Sequence, residues 1–248
     1  MPGKKILVIN GSPKRDKSFT MTVTNAFVKG MESVCGCNTE TINISDLNIK
    51  PCRGCLSCWG RTAGECVIKD DDIPMLKNKL KEADIVALSF PLYFFGLPGT
   101  LKLATDRLLG MLSTYRGQMR GEDGGLSDRL RDPKEGQLFA VISSCGFSES
   151  SEVFVPLIGQ LDLIFGKGNY TAITCPELKA LIDTGKGRKL PAYLAKVEAA
   201  GSVFARDGSL PEETVAELSK PPFMPETYRI LTENFWKEQE KREGSDTE

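Results

Sequence analysis

Short, continuous runs of apolar residues, each ending at a polar loop, most constrain the fold of this chain. Ile6-Leu7-Val8-Ile9 ends at Asn10-Gly11-Ser12-Pro13, and the runs 85–90 and 138–142 end in a similar way. Uninterrupted apolar runs are typical of parallel strands that are covered on both faces. These three segments therefore predict the central strands of a parallel sheet.

Two weaker segments, 39–44 and 170–174, have the β-branched composition of further strands. Apolar residues at helical spacing lie between the strands and predict helices around 19–34, 73–83, 101–112, 153–164 and 190–204. The acidic run Asp70-Asp71-Asp72 is expected to cap the second helix. Alternating strands and helices imply right-handed crossovers, and the predicted fold class is a doubly wound α/β sheet with helices on both faces.

Length and charge limit the organisation and the partners of the chain. The 248 residues suit one α/β domain at 1–206, with an exposed insertion at 116–135 and a helical, partly frayed extension at 207–248. The net charge of -1 gives no reason to expect nucleic acid as a partner. No signal peptide or membrane-spanning stretch is recognisable, so a cytoplasmic location is expected.

Four of the eight cysteines lie in one short loop, at 51–67, after the second predicted strand. The spacing is C-x2-C-x2-C-x7-C, formed by Cys52, Cys55, Cys58 and Cys66. In a reducing compartment clustered thiols indicate a metal or redox site rather than disulfides. The chain has no histidine, which excludes Cys/His zinc sites and Ser-His-Asp triads. The remaining four cysteines are interpreted as buried small residues: Cys35, Cys37, Cys145 and Cys175.

Four thiolates can hold either a 4Fe–4S cluster or zinc, and the spacing favours the cluster. Structural zinc usually joins two separated CxxC pairs, whereas two consecutive two-residue gaps resemble the run found in ferredoxins. Gly54, Gly60 and Gly64 would let the backbone curl around a cluster. No proline follows Cys66, so the full ferredoxin signature is absent. Zinc, or a bare set of redox thiols, stays the alternative.

The loop after the first strand has hydroxyls and cations where a dinucleotide-binding domain would have G-x-G-x-x-G. Backbone N–H groups at the following helix N-terminus would bind a single phosphate together with the hydroxyls of Ser12, Ser18 and Thr20. Lys14 or Arg15 would offset its charge. An ordinary capped turn between strand and helix is the alternative interpretation.

Two motifs together resemble the NADPH-dependent FMN reductase family of flavodoxin-like proteins. They are Gly11-Ser12-Pro13-Lys14-Arg15, and Ser89-Phe90-Pro91-Leu92-Tyr93-Phe94-Phe95-Gly96-Leu97-Pro98-Gly99 running into Leu101-Lys102 and Asp106-Arg107. The cysteine loop is similar to that of the iron-sulfur flavoproteins within this family, in which C-x2-C-x2-C and a variably spaced fourth cysteine hold a 4Fe–4S cluster. The resemblance covers about 4–204, without the insertion and the tail.

The resemblance implies a flavodoxin-like five-stranded sheet of order 2-1-3-4-5, with FMN at the carboxyl ends of strands one and three. The expected FMN-binding residues are Ser12, Lys14, Arg15, Ser18, Phe19, Thr20, Pro91, Leu92, Tyr93, Phe94, Phe95, Ser143 and Gly146. An aromatic cluster at the sheet edge or a dimer interface is the alternative for Tyr93, Phe94 and Phe95. Salt-bridge or interface roles are expected for Lys102, Asp106 and Arg107.

These observations predict an FMN-dependent oxidoreductase or electron-transfer flavoprotein with a 4Fe–4S cluster, in which no side chain is a catalytic acid or base. By resemblance, electrons would pass between ferredoxin or NAD(P)H and a small-molecule or protein acceptor, within a homodimer or homotetramer. One alternative is a cluster-free NAD(P)H:FMN or quinone reductase whose cysteines bind zinc or no ligand. The other is a non-enzymatic electron carrier.

Overall fold

The five predicted strands form one parallel sheet of order β2-β1-β3-β4-β5, as the resemblance implied. The structure is a computed structural model that describes residues 3–112, 131–132, 134–148 and 150–245. The strands are β1 Lys5–Asn10, β2 Asn38–Asn43, β3 Ile85–Pro91, β4 Leu138–Ser144 and β5 Thr171–Cys175. The described helices are α1 Phe19–Cys35, α2 Ile73–Glu82, α3 Gly99–Arg107, α4 Ser150–Val153, α5 Val155–Phe165, α6 Leu178–Thr184, α7 Lys189–Asp207, α8 Glu212–Leu218 and α9 Pro225–Ser245.

The apolar run of β1 is continuous because the two faces of the sheet are both buried. Ile6 and Val8 pack into the cluster formed with α1 and α7, while Leu7 and Ile9 pack into the cluster on the other face with α2, α3 and α5. Successive residues of a strand point to opposite faces, so a half-exposed strand would alternate in polarity. The run therefore specifies a central strand.

Helices α1 and α7 approach each other closely at two glycines. A Cβ atom at Gly30 would lie 1.8 Å from the carbonyl oxygen of Glu198, and one at Gly201 would lie 2.0 Å from that of Phe27. Backbone atoms cannot move aside as a flexible side chain can. The two glycines thus allow the contact that buries Phe27 and Phe204 beneath the sheet.

Three local expectations differ from the structure. Ile44 lies in a short 3₁₀ turn after β2, not in the strand. Asp72, at the N-cap of α2, makes no side-chain cap, and of the acidic run only Asp71 bonds to the helix, accepting the N–H of Ile73 at 3.3 Å. All three carboxylates bond to the segment that precedes the cysteine loop. The last helix continues to Ser245, through a part of the extension that was expected to be frayed, and its Lys, Glu and Gln content favours helix without an apolar face.

The C-terminal extension packs against the α/β core. Leu218 of α8 is buried in the same cluster as α1 and α7, and the main-chain N–H of Thr174 in β5 donates to the hydroxyl of Ser219 at 3.4 Å. Most of the expected insertion, 116–130 together with 133, lies outside the described residues. The division of the chain at residue 206 stays a prediction. Of the helices described, none combines the length and apolarity needed to cross a membrane.

The interpretation of Cys35 and Cys37 as free buried residues was wrong. Both are half-buried, and the structure joins them in a disulfide, with Cα atoms 5.1 Å apart. Gly36 between them has φ +56°, which turns the chain at the end of α1 so that both sulfurs face each other. Cys145 and Cys175 are buried and free, as expected.

Candidate functional site

The carboxyl ends of β1, β3 and β4 bring the three predicted cofactor loops to one edge of the sheet. The main-chain N–H of Gly11 donates to Ser89 at 2.8 Å, and that of Leu92 donates to Ser144 at 2.7 Å. Each bond joins the loop after one strand to the end of the neighbouring strand. The loop after β1 and the loop after β3 are thus adjacent at the switch point of the strand order, where open α/β sheets bind ligands.

Asn10, at the end of β1, shapes the first loop and was not predicted as a site residue. Its side chain is fully buried; Oδ1 accepts the N–H of Ser12 at 3.0 Å, and Nδ2 donates to Asn43 of β2 at 2.9 Å. The hydroxyl of Ser12 in turn accepts the N–H of Lys14 at 3.2 Å. A polar residue at the end of an apolar run is the sequence signal that marks this position.

The N-terminus of α1 has properties that suit an anion. Ser18 is at the N-cap and is buried, yet its side chain makes no capping hydrogen bond to the helix. The N–H groups of the first turn lack intrahelical acceptors, and the helix dipole favours negative charge there. Of the two expected cations, Lys14 lies 5.1 Å from the ring centre of Phe19, whereas Arg15 is paired with Asp46 at 2.5 Å.

Buried hydroxyls connect α1 to the strand ends, and one of them has no partner. Thr20, an expected phosphate ligand, shares a hydrogen bond of 2.6 Å with Ser144 of β4, and Thr24 donates to Ser89 of β3 at 2.8 Å. The hydroxyl of Ser143 is buried and, within the described residues, has no hydrogen-bond partner. An unpaired buried hydroxyl is costly, so Ser143 is suited to a polar ligand atom at this edge.

The aromatic loop after β3 forms an exposed apolar surface at the same edge. Tyr93 and Gly96 exchange two main-chain hydrogen bonds, which close a tight turn, and both intervening residues have positive φ, +47° at Phe94 and +62° at Phe95. Phe94 is 99% exposed, and the ring of Phe95 stacks on that of Phe147 at 6.0 Å. Pro91 is half-buried, Leu92 is buried and Gly146 is exposed. Both flavin contact and a subunit interface are compatible with this surface.

The four cysteines of the loop at 51–67 line a single small pocket of about 20 Å³. Cys52 and Cys55 are exposed, while Cys58 and Cys66 are half-buried. Main-chain N–H groups donate to two of the sulfurs, from Gly54 to Cys52 at 3.5 Å and from Ile68 to Cys66 at 3.4 Å. In the portion of the chain that is described, no three His, Cys, Asp or Glu side chains stand in metal-binding geometry.

The electrostatics of this pocket fit a bound cation. Burial and the neighbouring thiolates of Cys66, Cys52 and Cys55 raise the pKa of Cys58. Four thiolates in one pocket repel each other, and a positively charged metal removes that repulsion. N–H donors to sulfur and an all-cysteine set without histidine are the chemistry of an iron–sulfur or an all-thiolate zinc site.

The third helix places two ion pairs beside the cysteine loop, as the sequence suggested. Lys102 and Asp106 form an exposed pair along α3, at 2.5 Å. Arg107, in contrast, forms a completely buried pair with Asp71, and its partner could not be predicted from sequence. Ion pairs between residues so far apart in the chain depend on how the helices pack.

An apolar cavity of about 520 Å³ lies between the sheet and helices α2, α3 and α5, and sequence reasoning did not predict it. It is lined by Leu76, Leu80, Leu101, Phe139 and Phe165, and it extends to Cys52 of the cysteine loop. No motif marks such a cavity, since its apolar residues are indistinguishable in sequence from those of a closed core.

The strand order, the loops at the switch point and the anion-suited helix N-terminus define the class as a flavodoxin-like α/β protein. Residues 4–124 match the family model described as NADPH-dependent FMN reductase. This match, over about half of the chain, agrees with the resemblance that the motifs of the first and third loops carry.

Curated relatives of similar sequence include two proteins named iron-sulfur flavoprotein. One, from Methanocaldococcus jannaschii, is 36% identical over 121 residues, which cover 49% of this chain and 59% of the relative. Another, from Archaeoglobus fulgidus, is 37% identical over 114 residues, which cover 45% of this chain and 53% of the relative. The chain therefore spans little more than half the length of these relatives.

Solved structures confirm the fold. An FMN-dependent NADH-azoreductase from Bacillus anthracis, solved in complex with FMN, has a TM-score of 0.59 at 21% identity, covering 82% of this chain and 100% of that protein. An NAD(P)H:quinone oxidoreductase from Methanothermobacter marburgensis has a TM-score of 0.58 at 18% identity. The match covers 82% of this chain and 96% of that protein.

Proposed function

We propose that this chain is an FMN-dependent oxidoreductase that also binds a 4Fe–4S cluster through Cys52, Cys55, Cys58 and Cys66. The observation that carries this proposal is the position of the four-cysteine loop. It follows β2, at the same edge of the sheet as the loops after β1, β3 and β4. A flavin site and a metal site at one edge suit the transfer of electrons between them.

The chain's residues fit FMN at three points. Ser18 and the first turn of α1 would bind the phosphate, together with Ser12 and the nearby cation of Lys14. The aromatic loop from Pro91 to Phe95 would lie against the flavin ring. Ser143, with its unpaired hydroxyl, and Gly146 would contact the ring from the loop after β4. Arg15 and Thr20 are already engaged with Asp46 and Ser144, and Phe19 adds apolar contact.

The bound cofactors together would supply one-electron and two-electron redox chemistry. The chain's own residues bind and orient them and exclude other reactions. Cys145, which lies at the same edge, is unsuited to thiol chemistry because burial raises the pKa of its thiol to about 11. With no histidine in the chain, no imidazole can relay a proton here.

The proposed electron donor is NAD(P)H or a ferredoxin, and the proposed acceptor is a small molecule or a protein. The match of residues 4–124 to the NADPH-dependent FMN reductase family supports a nicotinamide donor. The proposed assembly is a homodimer or homotetramer, and the exposed ring of Phe94 would be covered in it. The proposed location is the cytoplasm, where the thiols of the cysteine loop would stay reduced.

One observation favours the cluster-free alternative, in which the cysteines bind zinc. The pocket between the four cysteines is only about 20 Å³, which suits a single ion. Cys52 and Cys55 are exposed, so the proposed cluster requires the loop to widen on its open side. The two consecutive two-residue gaps and the names of the curated relatives support the cluster.

Replacing Cys55 with Ser tests the two sites separately. We expect C55S, purified anaerobically, to lose iron and sulfide and to retain FMN, because the flavin loops are anchored by other strands. Cys37→Ser is the control, compared under reducing conditions that open the Cys35–Cys37 disulfide in both proteins. Cys37 lies just before β2, at the opposite end of the strands from the cysteine loop, so this variant should retain both cofactors. Loss of FMN together with iron in C55S would show that the cysteine loop only supports the fold.

A further inference from the structure

Arg107, the last residue of α3, holds both ends of the cysteine loop. Its Nη1 donates to the carbonyl oxygen of Lys50 at 2.6 Å, and its Nη2 donates to that of Ile68 at 3.1 Å. Lys50 lies two residues before Cys52, and Ile68 lies two residues after Cys66. A single guanidinium group therefore joins the entry and the exit of the loop.

Asp71 completes this arrangement from the segment before α2. Its carboxylate accepts from both Nη1 and Nη2 of Arg107, and the side chains of both residues are fully buried. The same carboxylate accepts the main-chain N–H of Lys50 at 3.1 Å. Burial alone would raise the pKa of Asp71, but the hydrogen bonds from Arg107, Lys50 and Ile73 hold it below its usual value. The pair is ionised and the fork geometry is bidentate.

The fifth N–H of Arg107, on Nε, has no hydrogen-bond partner within the described residues. Its Nε–H is buried and unbonded, whereas Nη1 and Nη2 are both used. Arg107 and Cys66 line the same small pocket. A buried unpaired donor on a charged group requires an acceptor. A sulfur atom in that pocket is an acceptor of the right kind.

We propose that Arg107 is a positioning residue of the metal site, which fixes the two ends of the cysteine loop and directs its Nε–H and positive charge toward sulfur at the Cys66 side. This inference rests on the proposed metal-binding function. A guanidinium charge beside a cluster stabilises its more negative, reduced form. Arg107 therefore slows metal loss through the loop and raises the reduction potential through its charge.

Two substitutions separate the two roles. Arg107→Lys keeps the charge but loses the planar fork, so we expect iron release to a chelator to become about 10- to 100-fold faster, with a potential near that of the wild type. Arg107→Gln also removes the charge, so its remaining cluster should have a more negative potential. Lys102→Gln, which removes an exposed cation from the same helix, is the control and should change neither property.

The readouts are metal and sulfide per chain, the rate of metal release, and the midpoint potential from an anaerobic spectroscopic titration. If R107K releases metal at the wild-type rate, the proposal is overturned, and this test does not depend on whether R107Q folds. A folded R107Q with an unchanged potential would overturn the electrostatic role. Wild-type metal content reports on the proposed function separately: a wild-type chain without metal refutes both proposals, whereas a metal-loaded wild type with indifferent variants refutes only this one.

Discussion

At the scale of single residues, the buried hydroxyls at the ends of β3 and β4 differ in what they do. Ser144 and Ser89 are bonded to threonines of α1, so their hydroxyls stabilise the contact between helix and sheet. Ser143 is equally buried but unpaired within the described residues. We therefore expect Ser144 to contribute to stability and its neighbour Ser143 to contribute to ligand binding.

Ser143→Ala should leave the free energy of unfolding unchanged or slightly higher, because it removes an unsatisfied buried hydroxyl. The same substitution should weaken FMN binding about 3- to 10-fold, the value of one hydrogen bond. Urea unfolding of the FMN-free chain and a fluorescence titration with FMN measure the two quantities.

Ser144→Ala is the matched variant. It removes the partner of Thr20 and should lower the free energy of unfolding by about 1 kcal/mol. If Ser143→Ala destabilises the chain as much as Ser144→Ala does, the hydroxyl of Ser143 has a structural partner and the account of this residue is wrong.

The sequence identified the four cysteines of the loop because their spacing is local, but it could not identify what holds the loop. Arg107 was expected to form a salt bridge, yet its partner Asp71 was expected to cap α2. The pairing depends on where α3 ends relative to the segment before α2. That geometry is a property of helix packing and leaves no local pattern.

At the scale of elements, the contact between α1 and α7 depends on backbone proximity. Gly30→Ala would place a methyl group against the carbonyl of Glu198, so the helices must separate. We expect a loss of about 1–3 kcal/mol in the free energy of unfolding. Thermal or urea unfolding of the purified variant measures it.

Gly159→Ala in α5 is the control for this helix contact. Apart from the helix's own backbone, no atom of the described residues lies within 4 Å of the added Cβ, and alanine favours helix over glycine, so stability should rise by up to about 1 kcal/mol. Equal effects of the two substitutions would mean that helix propensity, rather than the close contact, governs both positions.

Element types were predictable where the pattern was long and regular. The apolar runs predicted the strands, and the periodicity of α1 and α7 predicted those helices. The short helix α6 was not predicted, because Leu178–Thr184 is only two turns and has little periodicity to detect. Of the acidic run before α2, only Asp71 bonds to the helix N-terminus, whereas Asp72 at the N-cap accepts the main-chain N–H of Asn48, which is distant in sequence.

At the scale of the whole molecule, Glu177 joins the C-terminal extension to the candidate flavin edge. Its main-chain N–H donates to Phe147 at 3.2 Å, and its carboxylate accepts the N–H of Phe223 at 3.0 Å. Tyr228 of α9 donates to the carbonyl oxygen of Gly146 in the same loop. The tail thus contacts the loop after β4 directly, which the sequence did not indicate.

The buried carboxyl of Glu177 should make stability fall with rising pH. Burial raises its pKa in the folded chain, so the folded state holds the proton more tightly than the unfolded state does. Ionisation of this carboxyl lowers the free energy of unfolding. The loss is absent below the unfolded pKa of about 4.3 and grows as pH rises toward the folded pKa. Glu177→Gln should therefore flatten this decline in urea-unfolding stability above pH of about 4.3.

Glu217→Gln is the control with the opposite sign. Lys196 and Lys220 lower the pKa of Glu217 to about 2, so its contribution is present above pH of about 4.3 and is lost as pH falls toward 2. If Glu177→Gln leaves the slope above pH of about 4.3 unchanged, the carboxyl of Glu177 is not desolvated in the folded chain.

The most direct test of the proposed function is the cofactor content of the chain purified under anaerobic conditions. We predict about one FMN per chain, together with roughly four iron and four acid-labile sulfide, and no stoichiometric zinc. FMN with less than about one iron per chain, even after anaerobic reconstitution with iron and sulfide, would contradict the cluster. FMN with stoichiometric zinc would instead support the cluster-free reductase.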